Sequence, residues 1–366
     1  MKIAIIGSRG YPYVYSGYET FVKELSERLV QKNVSVTVYC HDTLFKIKPK
    51  VVNGINLKYI KGVNTKSLSQ LSHSFFSILN ACFSDIDIIF VVNAANGPFG
   101  IITKLFNKKT VINVDGLEWL RPKWKGVGAR YYKFAARIAT IFYDQIINDA
   151  EEMRKIYLEL FGKDSKVIAY GPKENIDTSS EIHDKLKLKK LNYYLIVGRL
   201  IPDNNWDILV NGFKLSNSNK KLVIVGDNPF KNKFQDNLEK DNCNKIIFTG
   251  LIKDQSELCD LFKNSYAYLH GHEYGGTNPT LIESLSFGNA VLALNTVFNK
   301  EVLQNGKYGL FFEKTKESVS DLIQYADSNK KEIFDLKNNS KKALKNKYEW
   351  NYIVDQYIEV FEKLNP

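Results

Sequence analysis

The chain has 366 residues, more than one typical hydrophobic core accommodates, so its length predicts two domains. Hydrophobic residues make up 44% of the chain, a globular value, and no apolar run is long enough to span a membrane. The net charge of +11 favours an anionic partner such as a nucleotide, a lipid headgroup or a nucleic acid, although a lysine-rich surface that serves solubility gives the same charge.

The N-terminus and the cysteines favour a cytoplasmic protein. The first ten residues, MKIAIIGSRG, have too short an apolar part for a secretory signal, because a glycine-rich turn follows directly. The cysteines form no CxxC pair and are expected to be reduced core thiols; they are Cys40, Cys82, Cys243 and Cys259.

Predicted strands and helices alternate along the first half. Residues 2–6 are a buried strand, a loop with glycines at 7, 10 and 17 follows, and apolar spacing over 20–32 predicts a helix, which together begin a βαβ unit. The loop is not GxGxxG and is too long for a dinucleotide-binding turn, which counts against a nicotinamide enzyme. The other strands predicted in this half are 34–40, 55–60, 86–93, 110–114, 144–148 and 167–169, and the other helices are 68–83, 95–106 and 151–161.

A polar and basic segment follows the strand at 110–114. Asp115-Gly116-Leu117-Glu118-Trp119 stands at the carboxyl end of that strand, where open α/β sheets bind ligands. Residues 121–137 then carry six basic residues and no acid, interleaved with aromatic residues. Such a segment suits an anionic membrane surface or nucleic-acid phosphates. The alternative is a helix that buries its aromatic residues and exposes its lysines to water.

The second half repeats the alternation after a polar linker at 171–190. The domains are therefore expected at 1–172 and 173–346, with 347–366 as a C-terminal helix packing across the domains. This helix, 350–364, has an apolar face that needs a surface to pack on. The other strands predicted in this half are 193–197, 221–225, 245–249, 266–269 and 290–294, and the other helices are 206–214, 231–238 and 254–264.

A turn of small residues, 275–278, joins the strand at 266–269 to a helix that begins at Pro279. Its glycines leave the backbone N–H groups unobstructed, and proline at the first helical position loses no hydrogen bond. These N–H groups and the positive end of the helix dipole favour phosphate. Glu283, four residues into the helix, could accept hydrogen bonds from a ribose. The turn indicates a nucleoside diphosphate site, and an ordinary strand–turn–helix is the alternative.

The order of these elements resembles the second domain of retaining GT-B glycosyltransferases of family four, through Gly198-Arg199-Leu200, Val225-Gly226-Asp227 and the turn before Glu283. Three longer stretches resemble the bacterial rhamnosyltransferase-type branch, which builds capsule and O-antigen repeat units; they are GSRGYPYVYSGYETFVKEL at 7–25, NVDGLEWLRPKW at 113–124 and HGHEYGGTNPTLIE at 270–283. The resemblance covers essentially the whole chain. It implies an α/β GT-B fold of two Rossmann-like parallel-sheet domains facing a cleft, with the C-terminal helix bridging back to the first domain.

The resemblance also implies site residues for sugar transfer from a nucleoside diphosphate, with retention and without metal or other cofactor. Arg199 would neutralise the donor diphosphate, because its guanidinium can hold two phosphate oxygens, and Glu283 would hold the ribose. Asp115 would bind a sugar hydroxyl or stabilise oxocarbenium-like charge, unless it only forms a turn. The other donor-binding candidates are Ser16, Gly17, Asn204, Asn205, Gly226, Gly276, Thr277 and Asn278. The acceptor-binding candidates, whose tryptophans could instead be core residues, are Glu118, Trp119, Arg121 and Trp124.

The sequence departs from the family pattern at two places. The family's second acid, eight positions before Glu283, is replaced by Gly275, and Glu273 lies two residues further back. The lysine expected after Gly198-Arg199-Leu200 falls at Asn204-Asn205, so phosphate binding is expected to depend more on Arg199 and the helix dipole, and whether another base replaces the lysine is left open. His270 and His272 have a spacing that can ligate a metal, but without a third ligand they are expected to be structural.

The resemblance implies a transferase that moves a sugar, with L-rhamnose from dTDP-rhamnose as the first expectation, to a lipid-linked saccharide at the inner face of the cell membrane, in surface polysaccharide synthesis. Peripheral membrane contact is expected through 121–137, and no nucleic acid is expected as partner. A hexosyltransferase that uses a UDP- or GDP-sugar is the alternative on the same fold. An epimerase is another, and a phosphorylase is disfavoured because no pyridoxal-lysine motif is present. A basic membrane- or nucleic-acid-binding module without transferase activity is the alternative from a different class.

Overall fold

The structure is a computed structural model that describes residues 1–12, 17–63, 65, 68–114, 116–121, 124, 126–173, 181–227 and 233–365. It divides into two compact units, Met1–Gly171 with Lys347–Pro366, and Pro172–Asn346. The strands are β1 (Lys2–Ile6), β2 (Ser35–His41), β3 (Val51–Val52), β4 (Ile55–Ile60), β5 (Ile88–Val92), β6 (Lys109–Asn113), β7 (Gln145–Asn148), β8 (Lys166–Val167), β9 (Tyr193–Val197), β10 (Lys221–Val225), β11 (Ile246–Gly250), β12 (Ala267–His270), β13 (Val291–Leu294) and β14 (Gly309–Phe312).

The helices account for the crossovers between these strands. They are α1 (Gly17–Gln31), α2 (Ser69–Cys82), α3 (Gly100–Leu105), α4 (Val127–Phe142), α5 (Glu151–Phe161), α6 (Glu181–Lys185), α7 (Trp206–Ser216), α8 (Lys233–Glu239), α9 (Gln255–Asn264), α10 (Pro279–Ser286), α11 (Val297–Val302), α12 (Lys316–Ser328), α13 (Lys330–Asn339) and α14 (Trp350–Leu364). The prediction of one α-helix over 95–106 is wrong in part. Its first half is a 3-10 helix, Ala94–Phe99, that contains Pro98, because proline has no N–H for the α-helical ladder.

The first unit is an α/β domain. Within the described residues it has an eight-stranded sheet of order β3-β4-β2-β1-β5-β6-β7-β8. The central strand β1 pairs in parallel with β2 and β5, and its residues Ile3–Ile6 have no exposed surface. Such burial on both faces requires a continuous apolar run, which is what the sequence has there. The expected all-parallel sheet needs one correction, because β3 pairs with β4 antiparallel across the Asn53-Gly54 turn.

The C-terminal helix α14 belongs to the first unit and packs against α1. Tyr357 is fully buried, and its hydroxyl accepts a hydrogen bond from Asn113 Nδ2 at 3.1 Å at the end of β6. The ring of Phe21 on α1 lies 5.8 Å from that of Tyr357, and Lys32 Nζ lies 3.0 Å from Asp355 Oδ1. The apolar face predicted for this helix is thus the face that it buries.

The second unit, within its described residues, has a six-stranded parallel sheet of order β11-β10-β9-β12-β13-β14. Its core contains Trp206 and Phe213 of α7 packed on the apolar strands of the sheet. The sequence patterns did not predict α11, β14, α12 and α13, which extend this unit after β13. They also missed α6, which lies inside the stretch predicted as a linker. In this sheet the turns at Gly198, Gly226 and 275–278 follow the carboxyl ends of parallel strands, the edge at which open α/β sheets bind ligands.

Candidate functional site

The turn before α10 is shaped by its cap. Asn278 Oδ1 accepts hydrogen bonds from the backbone N of Thr280 at 3.0 Å and from its Oγ1 at 2.7 Å. The side-chain oxygen of Asn278 therefore stabilises the helix, which leaves its Nδ2 as the group that suits a phosphate. Gly276 and Thr277 are buried immediately before the cap. The predicted helix start at Pro279 is confirmed.

Glu283 is a buried carboxylate on the first turns of α10. Its Oε1 lies 3.4 Å from Lys173 Nζ, which also donates to Gln255 Oε1 at 3.3 Å. Burial raises the pKa of Glu283 above its ordinary value, and the positive charge of Lys173 opposes that rise. A buried, lysine-paired carboxylate keeps strong hydrogen-bond acceptors at this edge of the sheet. Sequence reasoning missed Lys173, because it lies 110 residues from Glu283 in the chain.

Three strands end at glycines that approach each other closely. The N–H of Gly198 donates to Val225 O at 3.0 Å, and the N–H of Gly226 donates to Gly250 O at 3.0 Å. A Cβ on Gly226 would lie 1.8 Å from Gly198 O, so no larger residue fits there without a backbone shift. This packing fixes the backbone that carries Arg199, whose side chain is exposed.

The two asparagines at the expected lysine position tie neighbouring turns together. Asn204 Nδ2 donates to Arg199 O at 2.8 Å, and Asn204 Oδ1 lies 2.8 Å from His272 Nδ1. Asn205 has φ 53°, a left-handed conformation that asparagine tolerates, and its Nδ2 donates to Gly271 O at 2.8 Å. Both side chains thereby connect the turn after β9 to the stretch after β12.

Glu273 is held on the same stretch. Its Oε2 accepts a hydrogen bond from Asn205 Nδ2 at 3.3 Å and pairs with Lys314 Nζ at 2.5 Å. Gly275 has φ 109°, a backbone conformation that side-chain-bearing residues rarely adopt, so glycine suits this position. Lys314, which follows β14, is a base that sequence reasoning missed because β14 itself was not predicted.

The histidine pair lies beside these groups. His270 is buried, and burial lowers its pKa to about 3, so its ring is neutral at physiological pH. Its ring centre lies 6.2 Å from that of His272. Within the part of the chain that the structure describes, no three His, Cys, Asp or Glu side chains form a group that could hold a metal.

The remaining candidates belong to the first half of the chain. Gly17 is the first residue of α1, whereas Ser16 and Asp115 lie outside the described residues. Glu19, which the sequence patterns did not single out, is buried in the first turn of α1 and accepts a hydrogen bond from the backbone N of Arg9 at 3.1 Å. This bond secures the glycine-containing loop to the helix that follows it.

The four acceptor candidates form two groups. Glu118 Oε2 accepts a hydrogen bond from Trp124 Nε1 at 2.8 Å, and Glu118 Oε1 pairs with Arg121 Nε at 2.9 Å. Trp119 instead packs on the rings of Tyr157 and Phe161 of α5, with ring centres 6.3 and 6.2 Å away. The structure therefore brings Glu118, Arg121 and Trp124 together and places Trp119 against a helix.

In the described residues, no helix has the length and apolar character that crossing a membrane requires.

Comparison with known families decides the class of protein. Residues 178–343 match the model of the family described as glycosyl transferases group 1. The chain is a glycosyltransferase. Residues 1–173 match a domain of unknown function, DUF1972. The interpretation as a basic binding module without transferase activity is therefore wrong.

Two relatives span nearly the whole enzyme. MJ1069 of Methanocaldococcus jannaschii, described as an uncharacterized glycosyltransferase, is 25% identical over 398 residues, with 99% of each chain covered. MJ1178 of the same organism, described in the same way, is 24% identical and covers 100% of this chain and 99% of its own.

Solved structures share the fold of this chain. Sucrose-phosphate synthase from Thermosynechococcus elongatus has a TM-score of 0.82 at 15% identity, covering 99% of this chain and 98% of its own. HepE of Anabaena, crystallised in complex with UDP, has a TM-score of 0.76 at 16% identity, covering 99% and 100%. The predicted fold class is confirmed: the glycosyltransferase has the GT-B fold, with two Rossmann-like α/β domains.

Proposed function

We propose that this glycosyltransferase moves a sugar from a nucleoside diphosphate to a lipid-linked saccharide in surface polysaccharide synthesis, with retention at the anomeric carbon. The observation that carries the proposal is the buried Glu283 on α10, directly behind the Gly276–Asn278 turn, in the domain that matches glycosyl transferases group 1. The N–H groups and dipole at the start of α10 suit the diphosphate, and the carboxylate suits the ribose hydroxyls.

The remaining donor contacts follow from charge. Arg199 would bind the diphosphate through its guanidinium, on a turn that Asn204 and Trp206 hold by hydrogen bonds to its carbonyl oxygen, each 2.8 Å long. Lys314 would supply the positive charge that the asparagine at the expected lysine position does not. Lys173 would keep Glu283 ionised and oriented until the ribose binds. Ser16, Gly17 and Gly226 remain donor-side candidates.

The chemistry would need positioning rather than a protein nucleophile or a metal. The bond between the anomeric carbon and the diphosphate oxygen breaks, and the acceptor hydroxyl oxygen bonds to that carbon from the same face. The acceptor proton passes to the departing diphosphate oxygen. The protein would stabilise the negative charge that develops on the diphosphate, mainly through Arg199 and the start of α10. Asp115 would stabilise the positive charge on the sugar.

The donor sugar proposed first is L-rhamnose from dTDP-rhamnose, on the strength of the three motifs at 7–25, 113–124 and 270–283. A UDP-hexose is the second candidate. HepE, which shares the fold, was crystallised with UDP-glucose, and this favours a pyrimidine nucleoside diphosphate in either case. A GDP-sugar is the third.

The acceptor would contact the first domain. Glu118 and Arg121 present a paired carboxylate and guanidinium beside Trp124, a combination that suits saccharide hydroxyls and a diphosphate linkage. Segment 121–137 would make peripheral contact with the anionic inner face of the cell membrane, where a lipid-linked acceptor resides.

A transfer assay tests this proposal. Purified enzyme is incubated with membranes that contain lipid-linked saccharides and with labelled dTDP-rhamnose, UDP-glucose, UDP-galactose or a GDP-sugar in turn. We expect label in the lipid fraction from dTDP-rhamnose, with the anomeric configuration of the donor retained. Transfer from a UDP- or GDP-hexose alone would replace rhamnose as the donor, and transfer from none would overturn the proposal.

Two variants connect the assay to the site. Glu283→Gln and Arg199→Ala are expected to lose most of the transfer activity, because each removes a charged donor contact. The matched control is Glu257→Gln, which alters another lysine-paired glutamate of the same domain, bonded to Lys185 at 2.5 Å. If both site variants kept full activity, the donor would bind elsewhere.

A further inference from the structure

Exposed phenylalanines concentrate on one part of the first domain. Of the six phenylalanines that are strongly exposed among the described residues, five lie on or directly after α2, α3 and α4. Phe83 is 74% exposed, and Leu105, which precedes Phe106 in the chain, is 80% exposed. We call the exposed apolar residues of α2 and α3 the phenylalanine face; they are Phe75, Phe76, Phe83, Ile101, Leu105 and Phe106. Water-exposed aromatic side chains at this density are typical of an interaction surface.

The phenylalanine face connects the ends of its two helices. The rings of Phe83 and Phe106, at the ends of α2 and α3, lie 4.8 Å apart. At the other end of the face, the rings of Phe75 and Phe76 lie 5.2 Å apart. Helix α3 also packs on α4, since a Cβ on Gly100 would lie 2.7 Å from the ring of Tyr143. The face therefore adjoins the basic helix α4.

The charge around this face has one sign. The sequence has no acidic residue in 61–84, 88–114 or 119–143, which contain α2, α3 and α4. On α3 and α4 the exposed bases are Lys104, Arg130, Lys133 and Arg137. Two described acids at its borders have partners: Asp85 pairs with Lys2, and Asp144 accepts a hydrogen bond from Thr110 N at 2.8 Å. An apolar face bordered by bases is complementary to an anionic bilayer.

We propose that the phenylalanine face docks on a bilayer of anionic phospholipids, with its side chains inserted among the lipid headgroups while the bases of α4 contact lipid phosphates. The proposal rests on the proposed function, because it names the surface that brings this enzyme to a lipid-linked acceptor. It also moves the main apolar contact from segment 121–137 to α2 and α3. Each inserted phenylalanine or leucine is expected to raise membrane partitioning about tenfold or more.

Vesicle co-sedimentation of the full chain tests this surface. The probes are vesicles of phosphatidylcholine alone and of phosphatidylcholine with phosphatidylglycerol. We expect binding to the anionic vesicles and at least about tenfold weaker binding for the Phe83→Ser/Leu105→Ser double variant. The matched control is Leu251→Ser/Val297→Ser, which changes two exposed apolar residues of the second domain, 64% and 52% exposed, and should bind like wild type.

The outcomes separate the alternatives. Equal vesicle binding by wild type and the Phe83→Ser/Leu105→Ser variant would overturn the proposal, as would equal binding to both kinds of vesicle. A dimer that this variant dissociates, without vesicle binding by wild type, would assign the face to a second copy of the chain instead. The same variant should keep the wild-type melting temperature rise with UDP or dTDP. Failure of wild type to respond to any nucleotide would count against the donor proposal while leaving vesicle binding intact.

Discussion

His73, on the buried side of α2, makes the stability of the first domain depend on pH in a way that can be calculated. The residue has no exposed surface, and its ring stacks on His41 with ring centres 5.0 Å apart. Burial lowers the pKa of His73 to about 4 from its ordinary value of 6.5. The unfolded chain therefore binds a proton between pH 6.5 and pH 4 that the folded chain does not, so stability falls as pH falls through this window.

Linkage sets the size of this effect. At pH 5 the unfolded chain is protonated at His73 and the folded chain is largely not. The free energy of unfolding is therefore about 2 kcal/mol lower at pH 5 than at pH 8. His73→Asn removes the titrating ring, so its unfolding free energy should fall about 2 kcal/mol less than that of wild type between these pH values. Any pH-independent loss from the smaller side chain cancels in this comparison.

Urea unfolding at pH 8 and pH 5, followed by tryptophan fluorescence, measures the difference. Three of the four tryptophans, Trp119, Trp124 and Trp350, lie in the first unit, so fluorescence reports mainly on that unit. Ser77→Ala, which removes a neighbouring hydroxyl but no titrating group, should keep the wild-type pH dependence. A difference between His73→Asn and wild type below about 0.5 kcal/mol, the scale of extrapolation error, would refute the reasoning.

Other substitutions test the site geometry. Gly226→Ala should lower the free energy of unfolding by about 3 kcal/mol, because the added Cβ would lie 1.8 Å from Gly198 O. Gly250→Ala has open space around its Cβ and should lower it by only about 1–2 kcal/mol, the cost of its positive φ. Equal urea midpoints for the two variants would contradict this expectation. Lys314→Ala should weaken nucleoside diphosphate binding several-fold by calorimetry, and an unchanged Kd would exclude Lys314 as the replacement base. Glu118→Gln should raise the KM for the acceptor while leaving that for the donor unchanged, and the reverse pattern would place Glu118 at the donor.

Local sequence patterns were sufficient for elements with strong, uninterrupted signals. The limits of β1, α5, β9, β10 and α14 agree with the prediction residue for residue. Each is a compact apolar run or a clear amphipathic repeat, and each ends at glycine, asparagine or a charged turn. The helix start at Pro279 was predictable for the same reason, because proline and the preceding Asn278 mark a helix N-terminus without any tertiary information.

Elements without such signals were missed. Helices α12 and α13 are rich in lysine and acidic residues, and few of their residues face the core. Strand β14 has only four residues and follows a tight turn, so it reads as loop. Strand β3 has two residues and forms only because β4 is available as its partner. In each case, packing against the rest of the domain supplies the stability that the local sequence lacks.

The charge partners in the site could not have been predicted at all. Lys173 reaches Glu283, and Lys314 reaches Glu273, only because the β-sheet of the second domain brings the ends of distant segments to one edge. The sequence gives the types of these residues but not their distances. The same holds for Asn205, whose left-handed conformation and bond to Gly271 O make it a connector between two turns.

The central claim is that a nucleoside diphosphate binds at the start of α10 with its ribose on Glu283. Isothermal titration of wild type, Glu283→Gln and Glu257→Gln with dTDP, UDP and GDP tests it most directly. We predict that wild type and Glu257→Gln bind at least one of these nucleotides equally well, and that Glu283→Gln binds it about tenfold or more weakly, the cost of losing hydrogen bonds to a charged group. Equal affinity of Glu283→Gln and wild type, or no binding of any of the three nucleotides to wild type, would contradict the claim.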